Sequence, residues 1–238
     1  MTALTLPIGK SPIDRSAGSS AGLVVLISGR GSNLQAIINA VRAGRLPAEI
    51  RAVIGHEHGA PGLARARTAG VPTHVISHRD FTTRDQFEQA LIDRIDPYSP
   101  RLVVLAGFMR ILGKSFIDHY AGRLLNIHPS LLPAFPGLHT HARALQSGVK
   151  YHGASVHFVT PDVDGGPVII QASVPVRPDD TPEILAERVL QEEHRIYPLA
   201  IRWFLENRLS IRDGKVLLDG QQRPEQGLPS TGSAATIS

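Results

Sequence analysis

The chain has 238 residues, is 42% hydrophobic and 19% charged, and carries 25 basic against 21 acidic residues for a net charge of +4. Such a balance fits one large globular domain or two small ones, and charge spread without a polybasic run favours a small anionic ligand over nucleic acid as partner. The absence of cysteine excludes a disulfide scaffold, a thiol nucleophile, Cys-ligated zinc and an iron–sulfur cluster together.

No apolar run approaches the roughly 18 residues of a membrane-spanning helix, and the start MTALTLPIGK lacks the basic region and apolar core of a secretion signal. A cytoplasmic protein with no membrane partner is expected. Residues 1–21 are rich in Ser, Gly, Thr and Pro and read as a disordered N-terminal extension, residues 22–220 as a single domain, and residues 221–238 as a disordered tail.

Within the domain, short apolar runs alternate with stretches of helical period. LVVLIS from Leu23 precedes a helix from about Leu34, and IRAVIG from Ile50 precedes GLARARTAG. THVIS from Thr73 precedes RDQFEQALIDRI, in which Phe87, Leu91 and Ile95 recur every fourth residue. RLVVLAGF from Arg101 precedes SFIDHYAG, and RLLNIH follows from Arg123. Buried strands joined by helical crossovers predict an α/β fold: a doubly wound, mostly parallel sheet with helices on both faces, whose ligands sit outside the carboxyl ends of the strands.

After His128 the pattern changes. SLLPAFPGLHTHARALQSG reads as a long loop entering a short helix, and GASVHFVT and PVIIQASVPV flank PDVDGG as an antiparallel hairpin toward the C-terminus. Thr181 is placed to cap a last helix with Pro182 at its first position and Glu183 near its positive end, burying Leu185, Val189, Ile196, Leu199 and Trp203. Pro198 lacks the N–H that would bond the carbonyl of His194, so a kink or break is predicted just beyond Glu193.

Several residues offer chemistry. Ser28-Gly29-Arg30-Gly31-Ser32-Asn33 is a glycine-rich turn opening a helix, where bare N–H groups and the helix dipole can hold an anion. Leu34 stands where a dinucleotide fingerprint needs its third glycine, and no Gly-Lys-Ser/Thr follows, so one phosphate fits better than NAD or ATP. A tight turn with no ligand explains the glycines equally well. Asn126 and His128, two apart on a strand, project from one face and can hold a developing oxyanion, although a core histidine bonded to a carbonyl is the commoner case. Asp164 opens Asp-Gly-Gly, which a type I′ turn explains alone, yet acyl transfer to an amine needs a proton acceptor. Glu193 on its helix reads as a solvated charge. His139 and His141 flank Thr140 without a metal-binding pattern, so substrate contact is favoured over zinc. Met109, Ile111 and Leu112 read as core with Arg110 solvated, or else as the wall of a pocket for a flat heteroaromatic ligand.

Taken together, LISGRGSNLQAII, VVLAGFMRIL, LLNIHPSLLPAFPGLHTHARAL, GASVHFVT with DVDGGPVIIQ, and QEEHRIYPL closely resemble the folate-dependent phosphoribosylglycinamide formyltransferases, from about Leu23 to Leu209. The resemblance implies the formyltransferase fold and transfer of a formyl group from 10-formyltetrahydrofolate to the amine of glycinamide ribonucleotide in purine biosynthesis. It implies that Asn126, His128 and Asp164 are catalytic, that Gly31, Ser32 and Asn33 hold the substrate phosphate, and that Glu193 binds the ribose. It assigns Arg84, Met109, Arg110, Ile111, Leu112, Thr160, Pro161, Asp162 and Val163 to the folate. No metal is expected, and the chain is expected to be a monomer or weak homodimer.

Rival readings remain. Formyltetrahydrofolate deformylases share the AFPG loop and the three polar residues but carry a regulatory domain before the first strand, where this chain has 22 residues. Methionyl-tRNA formyltransferases need a further RNA-binding domain. A nucleotide-binding module without formyl chemistry would explain the glycine turn but not Asn126, His128 and Asp164 together.

Overall fold

The computed structural model describes residues 21–229. The expected N-terminal extension, up to residue 20, and the last nine residues of the expected tail lie outside the described residues.

The first half of the chain alternates strand and helix: β1 (Ala21–Ile27), α1 (Ser32–Arg42), β2 (Ala48–Gly55), α2 (Pro61–Thr68), β3 (Thr73–Val75), α3 (Arg84–Ile95), β4 (Leu102–Leu105), α4 (Lys114–His119) and β5 (Leu124–His128). α5 (Thr140–Ser147), β6 (Tyr151–Phe158), β7 (Val168–Pro175) and α6 (Pro182–Leu205) follow. The chain then adds β8 (Leu209–Arg212), β9 (Lys215–Leu218) and β10 (Gly227–Pro229). Eight strands form one sheet in the order β10-β7-β6-β5-β4-β1-β2-β3. β1 to β5 pair in parallel, β6 runs antiparallel to both β5 and β7, and β10 lies parallel on β7.

Alternation along each strand explains the layering. On β1, Leu23, Val25 and Ile27 join the core built with Leu34 and Ile37 of α1, Leu63 of α2 and Ile196 and Ala200 of α6. Val24 and Leu26 face the opposite layer, with Phe87, Leu91 and Ile95 of α3 and Phe116 of α4. Successive side chains point to opposite sheet faces, so a strand with apolar residues throughout must be covered on both. α3 starts on a capping box in which Thr83 accepts from the Gln86 N–H and the Gln86 side chain accepts from the Thr83 N–H.

Four expectations need correction. α6 runs unbroken through Pro198. The cost of an interior proline, about 3 kcal/mol, is outweighed by Ile196, Tyr197, Ala200 and Ile201, all fully buried on either side of it. Leu199 is only half-buried and belongs to the rim of that stripe. Asp164 and Gly165 do not make a two-residue turn: residues 159–167 form a longer loop in which Asp164 has φ 52°. Finally, residues 221–229 are not a tail, since Gln221 bridges to Leu218 and β10 pairs with β7. The hairpin β8–β9 was not foreseen, although Asp213-Gly214, both at positive φ (50° and 73°), is a good type I′ signal.

Candidate active site

β5 ends at the carboxyl side of the sheet, and its register against β6 sets Asn126 opposite His157 and His128 opposite Ser155. Leu125 and Ile127 turn into one core while Asn126 and His128 turn to the other face. The Asp164 loop folds over this end. Asp164 Oδ2 lies 3.3 Å from His128 Nδ1 and accepts a 2.8 Å bond from the Gly137 N–H, while Oδ1 lies 3.7 Å from His157 Nε2. Asp164 thus meets two histidines from neighbouring strands at one point.

His157 was not singled out from sequence, and it is what joins the other three. Its Nδ1 bonds the Phe158 carbonyl at 2.9 Å, and burial holds its pKa below the usual imidazole value, so the ring is neutral with the proton on Nδ1. Nε2 is then an acceptor, and the Asn126 amide donates to it at 3.2 Å. One N–H of Asn126 is spent fixing the amide; the other remains for a ligand. His128 Nε2 meets the Phe135 carbonyl at 3.0 Å. Both its ring nitrogens therefore lie near an oxygen, Nδ1 beside Asp164 and Nε2 beside the Phe135 carbonyl.

The glycine turn follows β1. Gly31 is left-handed (φ 69°), and a Cβ there would lie 2.6 Å from the Gly62 Cα, so the glycine is required by both conformation and close packing on α2. The Gly31 carbonyl receives the Gln35 N–H at 2.9 Å, and no side chain caps α1. Its first N–H groups are thus left to an outside acceptor, as an anion site requires.

Asn33 and Glu193, assigned separately from sequence, are hydrogen-bonded: Asn33 Nδ2 donates to Glu193 Oε2 at 2.6 Å. Glu193 is 8% exposed, not the solvated charge that its helix position alone implied. Burial pushes its pKa up to about 7, with the Asn33 bond opposing. Beneath it, the Tyr197 hydroxyl, also missed from sequence, bonds the carbonyls of Leu105 (2.9 Å) and Leu125 (3.1 Å). That contact pins α6 across β4 and β5, one helical turn from Glu193.

Among the residues assigned to a folate, Arg84 opens α3 after β3 and residues 109–112 follow β4, while Thr160 to Val163 lie in the loop that carries Asp164. Met109 and Ile111 are 70% and 68% exposed, whereas Leu112 is buried in the core, so only its backbone can meet a ligand. Arg84, Arg110, Pro161, Asp162 and Val163 are exposed and Thr160 is half-buried. His139 is exposed at the start of α5, and the His141 ring packs edge-on to His152 at 5.2 Å. Among the described residues no group of three or more His, Cys, Asp or Glu is arranged to hold a metal ion. A cavity of about 420 Å³ lies elsewhere, between α6 and the C-terminal segment, and its lining (Leu199, Trp203, Arg208, Leu218, Asp219, Arg223, Glu225) includes none of these residues.

Comparison with known proteins gives the family. The family described as formyl transferase matches residues 21–201. A phosphoribosylglycinamide formyltransferase of Escherichia coli K12 is 54% identical over 205 residues, 86% of this chain and 97% of its own. One from Haemophilus influenzae is 44% identical over the same shares of the two chains. The solved phosphoribosylglycinamide formyltransferase of Coxiella burnetii superposes with a TM-score of 0.83 at 52% identity, covering 89% of this chain and 99% of that one. With a family match across most of its length and relatives spanned almost end to end, the chain belongs to the formyl transferase family, among its phosphoribosylglycinamide formyltransferases.

Proposed function

We propose that this protein transfers the formyl group of 10-formyltetrahydrofolate to the amine of 5′-phosphoribosylglycinamide, a step of de novo purine biosynthesis. The observation that carries the reading is the meeting of Asn126, His128 and Asp164 at the end of β5, tied through His157. Gly31, Ser32 and Asn33 receive the phosphate on the open end of α1, and Glu193 receives the ribose beside it. Met109 and Ile111, apolar and largely uncovered, fit a flat aromatic ring. Arg84 and Arg110 supply positive charge for an acidic group of the donor, and the Thr160 to Asp162 segment with Val163 borders it from the other side.

In this reading the substrate amine attacks the formyl carbon, forming the new C–N bond while the C=O electrons move onto oxygen. Asn126 donates its remaining N–H to that oxygen. His128 turns an N–H to it in place of the Phe135 carbonyl, and Asp164 keeps the ring oriented. The amine gives up a proton through water beside Asp164, that same proton passes on to the folate nitrogen, and the oxyanion collapses to re-form C=O as the C–N bond to the folate breaks. An oxyanion donor of this kind contributes about 10² to 10³ in rate, and proton transfer by a positioned group about 10² to 10⁴. The test is spectrophotometric release of tetrahydrofolate with and without the ribonucleotide. Release only when the ribonucleotide is present is expected; equal release with water alone would establish a hydrolase instead.

A further inference from the structure

Glu88 is a buried carboxylate for which the mechanism above has no use. It stands on the second turn of α3, 2% exposed, in a layer otherwise built from Phe87, Leu91, Phe108, Leu112 and Phe116. Burying a carboxylate is costly unless it is well bonded. Glu88 Oε1 accepts a 2.5 Å bond from the Gly113 N–H and lies 3.7 Å from Arg84 Nε, while Oε2 is buried without a partner. The fit is close: a Cβ on Gly113 would lie 2.9 Å and 3.1 Å from the two carboxylate oxygens and 3.3 Å from Arg84 Nε. At the other end of the same segment, the Met109 N–H donates to Ser28 Oγ at 2.6 Å, and Ser28 itself leads into the glycine turn.

Residues 109–113 are thus held at both ends by side chains from outside the segment, and the flanking Phe108 and Leu112 side chains are buried. Between the two tethers, the N–H groups of Arg110, Ile111 and Leu112 donate to no acceptor among the described residues. Backbone N–H groups left unpaired in folded protein are uncommon unless water or a ligand meets them. The tethers hold three such groups in a row beside the exposed Met109 and Ile111 side chains.

We infer that Glu88, together with Ser28, is a positioning residue for the formyl donor: the two fix the 109–113 backbone so that its free N–H groups face the heterocycle's acceptor atoms, and Glu88 also restrains Arg84. The inference rests on the reading that this segment borders the folate. It assigns a role to a buried side chain that touches neither substrate.

Calorimetric titration of the whole protein, with tetrahydrofolate and with glycinamide ribonucleotide in separate experiments, tests it. Glu88→Ala is expected to weaken tetrahydrofolate about tenfold and leave ribonucleotide affinity within about twofold, on the scale of one lost tether. Glu88→Gln retains an oxygen that can accept from Gly113 and should recover most of the loss. Ser28→Ala, outside α3, should reproduce the tetrahydrofolate-selective loss and decides the matter if Glu88→Ala does not fold. Equal weakening of both ligands, unchanged tetrahydrofolate affinity in Ser28→Ala, or a Glu88→Gln protein as impaired as Glu88→Ala would overturn the positioning role. Wild-type protein that binds the ribonucleotide but no tetrahydrofolate would overturn the folate reading itself, a result distinct from any of these.

Discussion

Asn126 can serve an oxyanion only if its amide is held, because a free amide samples two orientations and presents oxygen in one of them. The neutral His157 ring removes that ambiguity by accepting from Nδ2. Replacing His157 by Ala should therefore lower kcat roughly tenfold, the scale of one hydrogen bond's worth of ordering, while the KM for the ribonucleotide changes little; steady-state kinetics on both substrates checks this. Asn126→Ala and His128→Ala act on the reacting oxygen directly and should each lower kcat by about 10² or more. A raised KM with intact kcat in either variant would remove it from the catalytic role. The pairing of Asn126 with His128 was legible from their spacing on a strand. His157 was not, because its meaning depends on the β5–β6 register, which two-residue periodicity cannot supply. Glu193 was misjudged on helix position for a similar reason: nothing in its neighbourhood in sequence announces Asn33, 160 positions away.

Elements were read more easily than their junctions. The five parallel strands and their helices followed from apolar runs, and the Thr181 cap of α6 is present, accepting from the Ile184 N–H. What periodicity could not reveal is how α6 is fastened. Tyr197 spans from the helix to two strand carbonyls, and burial holds its hydroxyl far above the usual phenol pKa, so it acts as a neutral donor. Tyr197→Phe keeps the packing and removes only that fastening. It is expected to cost about 1 to 3 kcal/mol, the penalty for leaving buried acceptors unmet, measurable as a lower urea midpoint with unchanged slope. The effect on ribonucleotide binding should exceed that on folate binding, since α6 carries Glu193. The uninterrupted passage through Pro198 fits the same account: local propensity predicted a break, and tertiary burial on both sides of the residue overrode it.

At the scale of the molecule, buried ionisable groups set opposing pH slopes. Glu193 binds a proton more tightly in the folded state, with a pKa of about 7, so its contribution to stability falls as pH rises from its unfolded value near 4.5 toward 7, by roughly 3 kcal/mol in all. His152 is shifted the other way, down to about 4, by burial and then by His141 and His128. Its unfolded form binds the extra proton, so its contribution rises with pH between about 4 and 6.5. His56, His141 and His157 are displaced downward by burial in the same sense. Glu193→Gln removes one side of this balance. Urea titrations of that variant should show a steeper loss of stability on acidification from pH 6.5 to 4.5 than the wild type, and no decline between pH 6.5 and 7.

The overall sheet was legible because strand and helix alternate in the sequence, but its outermost member was not. Gly227-Leu228-Pro229 has no apolar periodicity, and only the pairing of its backbone with Gln171, Ala172 and Ser173 gives it a place. With β10 present, the row of backbone N–H and C=O groups along that side of β7 is occupied by the chain's own final described residues. A version shortened after Gly220 would bare that row and offer a template on which other chains could assemble. Light scattering of the shortened protein should then reveal concentration-dependent association that the 238-residue chain does not show, and the last few described residues would be understood as a guard against self-templating.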